Sequence, residues 1–107
     1  MATLIRADGR VETVVPAASA TAFTLPFLQE TVGGYIESIG TPDGRVMILN
    51  EDGKRLQLPY NARATTLMVS RLRFDDYIVG DVLICSRTEL GEDETYERWT
   101  RRERRNR

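Results

Sequence analysis

Apolar and polar residues alternate at the start of the chain, where Thr3-Leu4-Ile5-Arg6 and Arg10-Val11-Glu12-Thr13-Val14-Val15 flank Asp8-Gly9. A period of two marks half-buried strands and Asp-Gly favours a tight turn, so the pattern predicts an N-terminal β-hairpin. A small-residue linker follows Pro16 and leads to Thr24-Leu25-Pro26-Phe27-Leu28-Gln29-Glu30-Thr31-Val32-Gly33-Gly34. Threonine caps helices, proline is tolerated in the first turn and glycine ends them, which predicts a short helix. Its Leu25, Leu28 and Val32 stand at i, i+3 and i+7, one face for packing on a sheet.

Tyr35-Ile36-Glu37-Ser38-Ile39 and Arg45-Val46-Met47-Ile48-Leu49-Asn50 alternate around the turn Pro42-Asp43-Gly44. A second turn, Glu51-Asp52-Gly53, leads into Arg55-Leu56-Gln57-Leu58-Pro59, and together these predict a three-stranded antiparallel meander. Asn61 to Leu72 reads as a second helix capped by Asn61. The apolar run Tyr77 to Cys85, interrupted by Gly80-Asp81, reads as a central strand buried on both faces. The expected fold is α+β: a small, mainly antiparallel sheet with two short helices on one side and a charged C-terminal helix or tail.

A chain of 107 residues has room for one core, expected over residues 1–88, with residues 89–107 as the charged appendage. Hydrophobic residues make up 41% and charged residues 29%, the balance of an ordinary globular protein rather than a disordered one. No apolar run approaches the length of a bilayer span and the N-terminus lacks the apolar stretch of a signal peptide, so the cytoplasm is the expected compartment. The chain contains no histidine and one cysteine, Cys85, which sits in an apolar run. A thiol without a neighbouring base reads as a packing residue, and catalysis would have to rest on carboxylates, tyrosines and arginines alone. An enzyme is therefore the least favoured class, and no metal or cofactor is expected.

Net charge is −1, yet the last residues are polarised: acids from Glu89 to Glu97 precede Arg98, Arg101, Arg102, Arg104 and Arg105. Acids early and bases late suit a helix dipole, which makes a solvated helix the plain reading. The same arginines are candidates for nucleic-acid contact, a role the preceding acids oppose. Of the chain's fifteen basic residues only Lys54 is a lysine.

The chemistry-bearing residues concentrate in the middle of the chain. Gly33-Gly34 ends a helix rather than opening one, which favours helix termination over a phosphate cradle. Tyr35 and Glu37 project from one face of a strand, where they either stack and hydrogen-bond a base or form an exposed pair. Asn50-Glu51-Asp52-Gly53 lacks the remaining ligands of a calcium loop and reads as a turn. Around Tyr60, Asn61, Arg63 and Thr65 a strand ends and a helix begins, so exposed amides beside Asn61 and Arg63 suit an anion, unless Asn61 caps and Arg63 is solvated. Asp81 either stabilises a turn or faces Arg63 or Arg71.

The ordered set Val32-Gly33-Gly34-Tyr35-Ile36-Glu37, Asn50-Glu51-Asp52-Gly53, Leu58-Pro59-x-Asn61-x-x-Ala64-Thr65 and Ile78-Val79-Gly80-Asp81 resembles a family of small proteins encoded by bacteriophages and mobile elements, of unknown function. The resemblance covers roughly Leu25 to Ile84 and implies a context, a phage protein in a bacterial cell, rather than a chemistry. The leading expectation is a non-enzymatic module that sequesters a small anionic, nucleotide-like ligand and so blunts host defence. Its candidate ligand-binding residues are Tyr35, Glu37, Asn50, Tyr60, Asn61, Arg63 and Thr65, and a pocket in so small a domain suggests a homo-oligomer. The alternative is an interaction module that engages a host protein or nucleic acid through a strand edge or the arginine tail.

Overall fold

The N-terminal hairpin forms as its turn chemistry demands. Ala2–Ile5 (β1) and Val11–Val14 (β2) pair antiparallel, with the Arg6 amide donating to the Arg10 carbonyl at 2.9 Å. Asp8 fixes the turn by accepting from the Arg10 amide at 3.0 Å and the Arg10 Nε at 2.8 Å. The computed structural model describes residues 1–17 and 20–91.

Leu25–Val32 (α1) has the expected ends: Thr24 Oγ1 accepts from the Phe27 amide at 3.2 Å, and Gly33 closes the helix at φ 83°, where a side chain would strain the backbone. Ile36–Gly40 (β3) and Val46–Asn50 (β4) form the second hairpin. Ala62–Leu67 (α2) is six residues long and is continued by a 3₁₀ turn over Val69–Arg71, so the helix expected to reach Leu72 is shorter and tightens at its end. Val82–Cys85 (β5) is the last strand, followed by a 3₁₀ turn at Thr88–Leu90.

The five strands form one sheet in the order β2-β1-β5-β4-β3, antiparallel at every junction. The protein is thus a small α+β fold. The third strand of the expected meander does not exist: residues 51–57 are turns, Gln57 takes a left-handed φ of 57°, and Leu56 is exposed. The place beside β4 belongs to β5, whose four residues are all buried. Val82, Leu83, Ile84 and Cys85 put apolar side chains on both faces, whereas Arg55-Leu56-Gln57 would bury a charge and an amide in a central position. The strand expected from Tyr77 is also shorter, because Val79 makes only an isolated bridge to Tyr60.

The sheet separates two cores. Leu28 and Val32 of α1 pack with Ala2, Leu4, Ile36, Val46, Ile48, Leu83 and Cys85. Ala64 of α2 and Met68 pack with Ile5, Met47, Leu49, Val82 and Ile84. Successive strand residues point to opposite faces, so the two helices lie on opposite sides and the expectation of one helical layer is overturned. The packed unit also runs past residue 88. Leu90 is part of the first core, and buried Glu89 accepts from the Ser86 amide at 2.9 Å and from the Met1 ammonium at 2.8 Å. Burial pushes the Glu89 carboxyl up, but the ammonium and the amide prevail and hold it below the usual range. The expected C-terminal helix or tail, with Arg98, Arg101, Arg102, Arg104 and Arg105, lies outside the described residues beyond Gly91.

Candidate functional site

A cleft of about 560 Å³ lies on the α2 side of the sheet, at the β3 end. Ile39 of β3, Leu49 of β4 and Leu72, Ile78 and Val79 give it an apolar floor, while Glu37, Glu51, Asp52, Lys54, Arg55 and Asp76 supply its charges. Its walls are the 50–55 turn and the 72–79 segment, and both are held from within. Asn50 Oδ1 accepts from the Asp52 amide at 2.8 Å while its Nδ2 donates to the Val32 carbonyl at 3.1 Å. The Leu58 amide donates to the Gly53 carbonyl at 3.0 Å and tightens the turn. Gly53 has no room for a side chain, since a Cβ there would meet Val79 Cγ2 at 2.8 Å. The two walls therefore touch at their base.

At the rim they are joined again. The Lys54 ammonium pairs with Asp76 and sits over the Tyr77 ring, 4.5 Å from its centre. Tyr60 lies against Tyr77 with ring centres 6.1 Å apart. The Lys54 ammonium, with the Tyr77 amide, holds the Asp76 carboxyl below the usual carboxylate range. Arg55 pairs with Asp52 at 3.4 Å. Four carboxylates thus surround two cations that are already engaged, and the cleft is negative on balance.

The candidate residues do not assemble into one site. Glu37 lines the cleft, and Asn50 borders it while serving as the brace between α1 and the turn. Tyr35 is half exposed ahead of β3 and is not part of the lining. Tyr60 reaches the rim through Tyr77. Asn61 is 0% exposed and fully used: its Oδ1 caps the Ala64 amide at 3.0 Å, and its Nδ2 donates to the carbonyls of Ile5 at 3.0 Å and Gly80 at 2.8 Å. Of the amides expected to be open at this helix start, that of Ala64 is consequently occupied. Thr65 Oγ1 donates to the Asn61 carbonyl at 2.8 Å and accepts from the Ile78 amide at 2.9 Å, a splice between α2 and the cleft wall.

Arg63 belongs to a second, shallower groove of about 740 Å³ beside β1, β2 and α2, where its Nε donates to the Gly9 carbonyl at 3.3 Å. Asp81 faces neither Arg63 nor Arg71. It accepts from the Ala7 amide at 2.9 Å and pairs with Arg6 at 3.0 Å, and Arg6 in turn holds Glu12 at 2.8 Å. Asp81 thereby ties the hairpin to β5. Cys85 is buried, and desolvation, followed by the nearby Glu89 charge, pushes its thiol up to about 12, so it is held as a neutral packing group.

Lys54, Asp76 and Tyr77 were absent from the candidate set. Twenty-two residues separate the lysine from its carboxylate, beyond the reach of any local spacing rule. The one available signal was the lysine itself, alone among fourteen arginines. Among the described residues no group of three or more histidine, cysteine, aspartate or glutamate side chains is placed to hold a metal ion, and no helix is long and apolar enough to cross a membrane. No curated protein and no solved structure matches the chain. Residues 4–101 match the model of DUF3846, a domain of unknown function, and the chain belongs to that family.

Proposed function

We propose that the protein is a non-catalytic binding module that holds a small nucleotide-like ligand in the cleft between the 50–55 turn and the 72–79 segment. In this reading it acts in the cytoplasm of a bacterial cell, on behalf of a phage or mobile element, by keeping a host nucleotide signal out of circulation. The cleft itself carries the proposal: a space of about 560 Å³ with apolar residues at its base and an aromatic and a cation at one end. A base lying on Ile39, Leu49 and Leu72 would bring an exocyclic amine toward Glu37 and an acidic group toward Lys54. The surplus of carboxylates narrows the ligand to one of low negative charge, a nucleoside, monophosphate or cyclic nucleotide rather than a polyphosphate.

Isothermal titration with adenosine, AMP, a cyclic dinucleotide and ADP-ribose tests this directly. At least one should bind, and Glu37→Gln or Lys54→Ala should weaken it about tenfold, roughly 1.4 kcal/mol. Absence of heat with all four would end the proposal. A second reading, an interaction module working through a strand edge, is favoured by β2, whose outer side is uncovered. In that reading the partner is a host protein or nucleic acid, and the ligand titrations would be silent.

A further inference from the structure

The hairpin register fixes which backbone groups β2 turns outward. The Arg6 amide donates to the Arg10 carbonyl, which makes 6 and 10 a hydrogen-bonded pair, and such pairs alternate along an antiparallel ladder. Arg10, Glu12 and Val14 therefore face β1 with their N–H and C=O groups, while Val11 and Thr13 direct theirs away from the sheet, and the same alternation carried one residue past β2 would turn Val15 outward. The side chains of Val11 and Thr13 point to the α2 side, beside those of their partners Ile5 and Thr3, and continued alternation would put Val15 there too. Val11 is 51% exposed and Val15 60% exposed, and Val11 borders the groove it shares with Arg63 and Leu67 of α2. An edge strand with open backbone groups and exposed valines, and with no lysine, bulge or proline before Pro16, invites pairing.

We infer that this edge pairs with the β2 of a second copy of the chain, antiparallel about Thr13. In that register the two Thr13 residues exchange both N–H···O bonds, and each Val11 exchanges the same bonds with the partner's Val15. Glu12 stands opposite the partner's Val14, so no like charges meet, whereas a register centred on Glu12 would set two carboxylates face to face. Pro16 falls opposite Arg10, where the ladder needs no donor, and ends the pairing. The edge is self-complementary, as a two-fold contact requires, and this is why a second copy is a better occupant than an unrelated strand. The axis runs perpendicular to the sheet, so both α2 faces lie on the same side. The valines then form an apolar row between the two grooves that hold Arg63 and Leu67. A contact of two short strands sits at the low end of interface size, so the dimer should be concentration-dependent.

Sedimentation velocity of the full chain across a concentration series tests the inference. The expected result is a species of twice the 12.2 kDa chain mass that gives way to the single chain on dilution. Thr13→Pro removes an outward N–H and no bond to β1, so it should leave far-ultraviolet circular dichroism unchanged and yield only the single chain. Val15→Lys, which sets a charge against the partner's Val11, should do the same without touching the backbone. A wild-type chain that stays single at its highest soluble concentration overturns the inference, as does a dimer that survives both variants. Dissociation by Ser38→Pro but not by Thr13→Pro would place the contact on β3 and overturn it equally.

Discussion

On one side of the sheet, α1 is eight residues long, capped at both ends, and covers a core that runs from Ala2 and Leu4 to Ile36. On the other, α2 has six residues and its core takes in Ile5 of β1 with residues of β4 and β5, while a cleft opens at the β3 end and a shallow groove between α2 and the β1–β2 hairpin. A helix of six residues is about 9 Å long, whereas five strands span roughly 20 Å, so it cannot close that face. The difference bears on where binding is proposed in this fold. The α1 face carries the longer, doubly capped helix and a groove of about 540 Å³ beside Phe27 and Glu30, and the α2 face carries the cleft proposed above as the binding site.

Substitutions that strike one face should therefore separate stability from binding. Leu28→Ala, in the closed core, should remove about 3 kcal/mol in urea denaturation, the transfer loss plus an unfilled cavity. Asn61→Ala removes the α2 cap and leaves the buried carbonyls of Ile5 and Gly80 short of a donor, at a cost of about 2 kcal/mol. Thr24→Ala, which uncaps α1 at an exposed end, should cost about 1 kcal/mol.

Acid should add a smaller effect at the β3–β4 turn. Arg45 and Thr41 hold the Asp43 carboxyl down from 3.8 to about 2. A carboxylate depressed in the folded state stabilises fully above its unfolded value and loses that contribution as pH falls through its folded value. The stability difference between wild type and Asp43→Asn should therefore be steady above pH 4 and shrink toward pH 2. The smallest change is expected at the cleft rim. Lys54→Ala breaks an exposed pair and should shift stability by about 0.5 kcal/mol or less, while its effect on ligand titration is the larger one. A loss of stability as large as that of Leu28→Ala would mean that the rim supports the fold and is not a free surface.

What the sequence disclosed and what it hid follow the same division. The hairpin, both caps of α1, the Asn61 cap and the burial of β5 rest on neighbours within a few residues, and each was legible from Asp8-Gly9, Thr24, Gly33, Asn61 and the Val82–Cys85 run. The competition between residues 55–58 and 82–85 for the edge of β4 is decided between segments 27 residues apart, by which can be buried on both faces. The side taken by each helix was equally hidden, because β4 is apolar at every position from Val46 to Leu49 and gives no sign of which face is outward. At the candidate site Glu37 was legible from its strand alternation. The Lys54–Asp76 contact was not, and Arg63 was assigned to the wrong neighbourhood because the hairpin folds back to meet it at Gly9.

β5 has one property that reaches beyond packing. Leu83 and Cys85 belong to one core, Val82 and Ile84 to the other, so this strand is shared by both halves of the molecule. The only thiol in the chain lies on it, buried and held neutral. An alkylating reagent can reach that sulfur only when the packing around it opens, so the labelling rate is the intrinsic rate scaled by an opening equilibrium. The protein therefore carries a native clock for its own opening, and a ligand or second subunit that stabilises the closed form should slow it without any engineered probe.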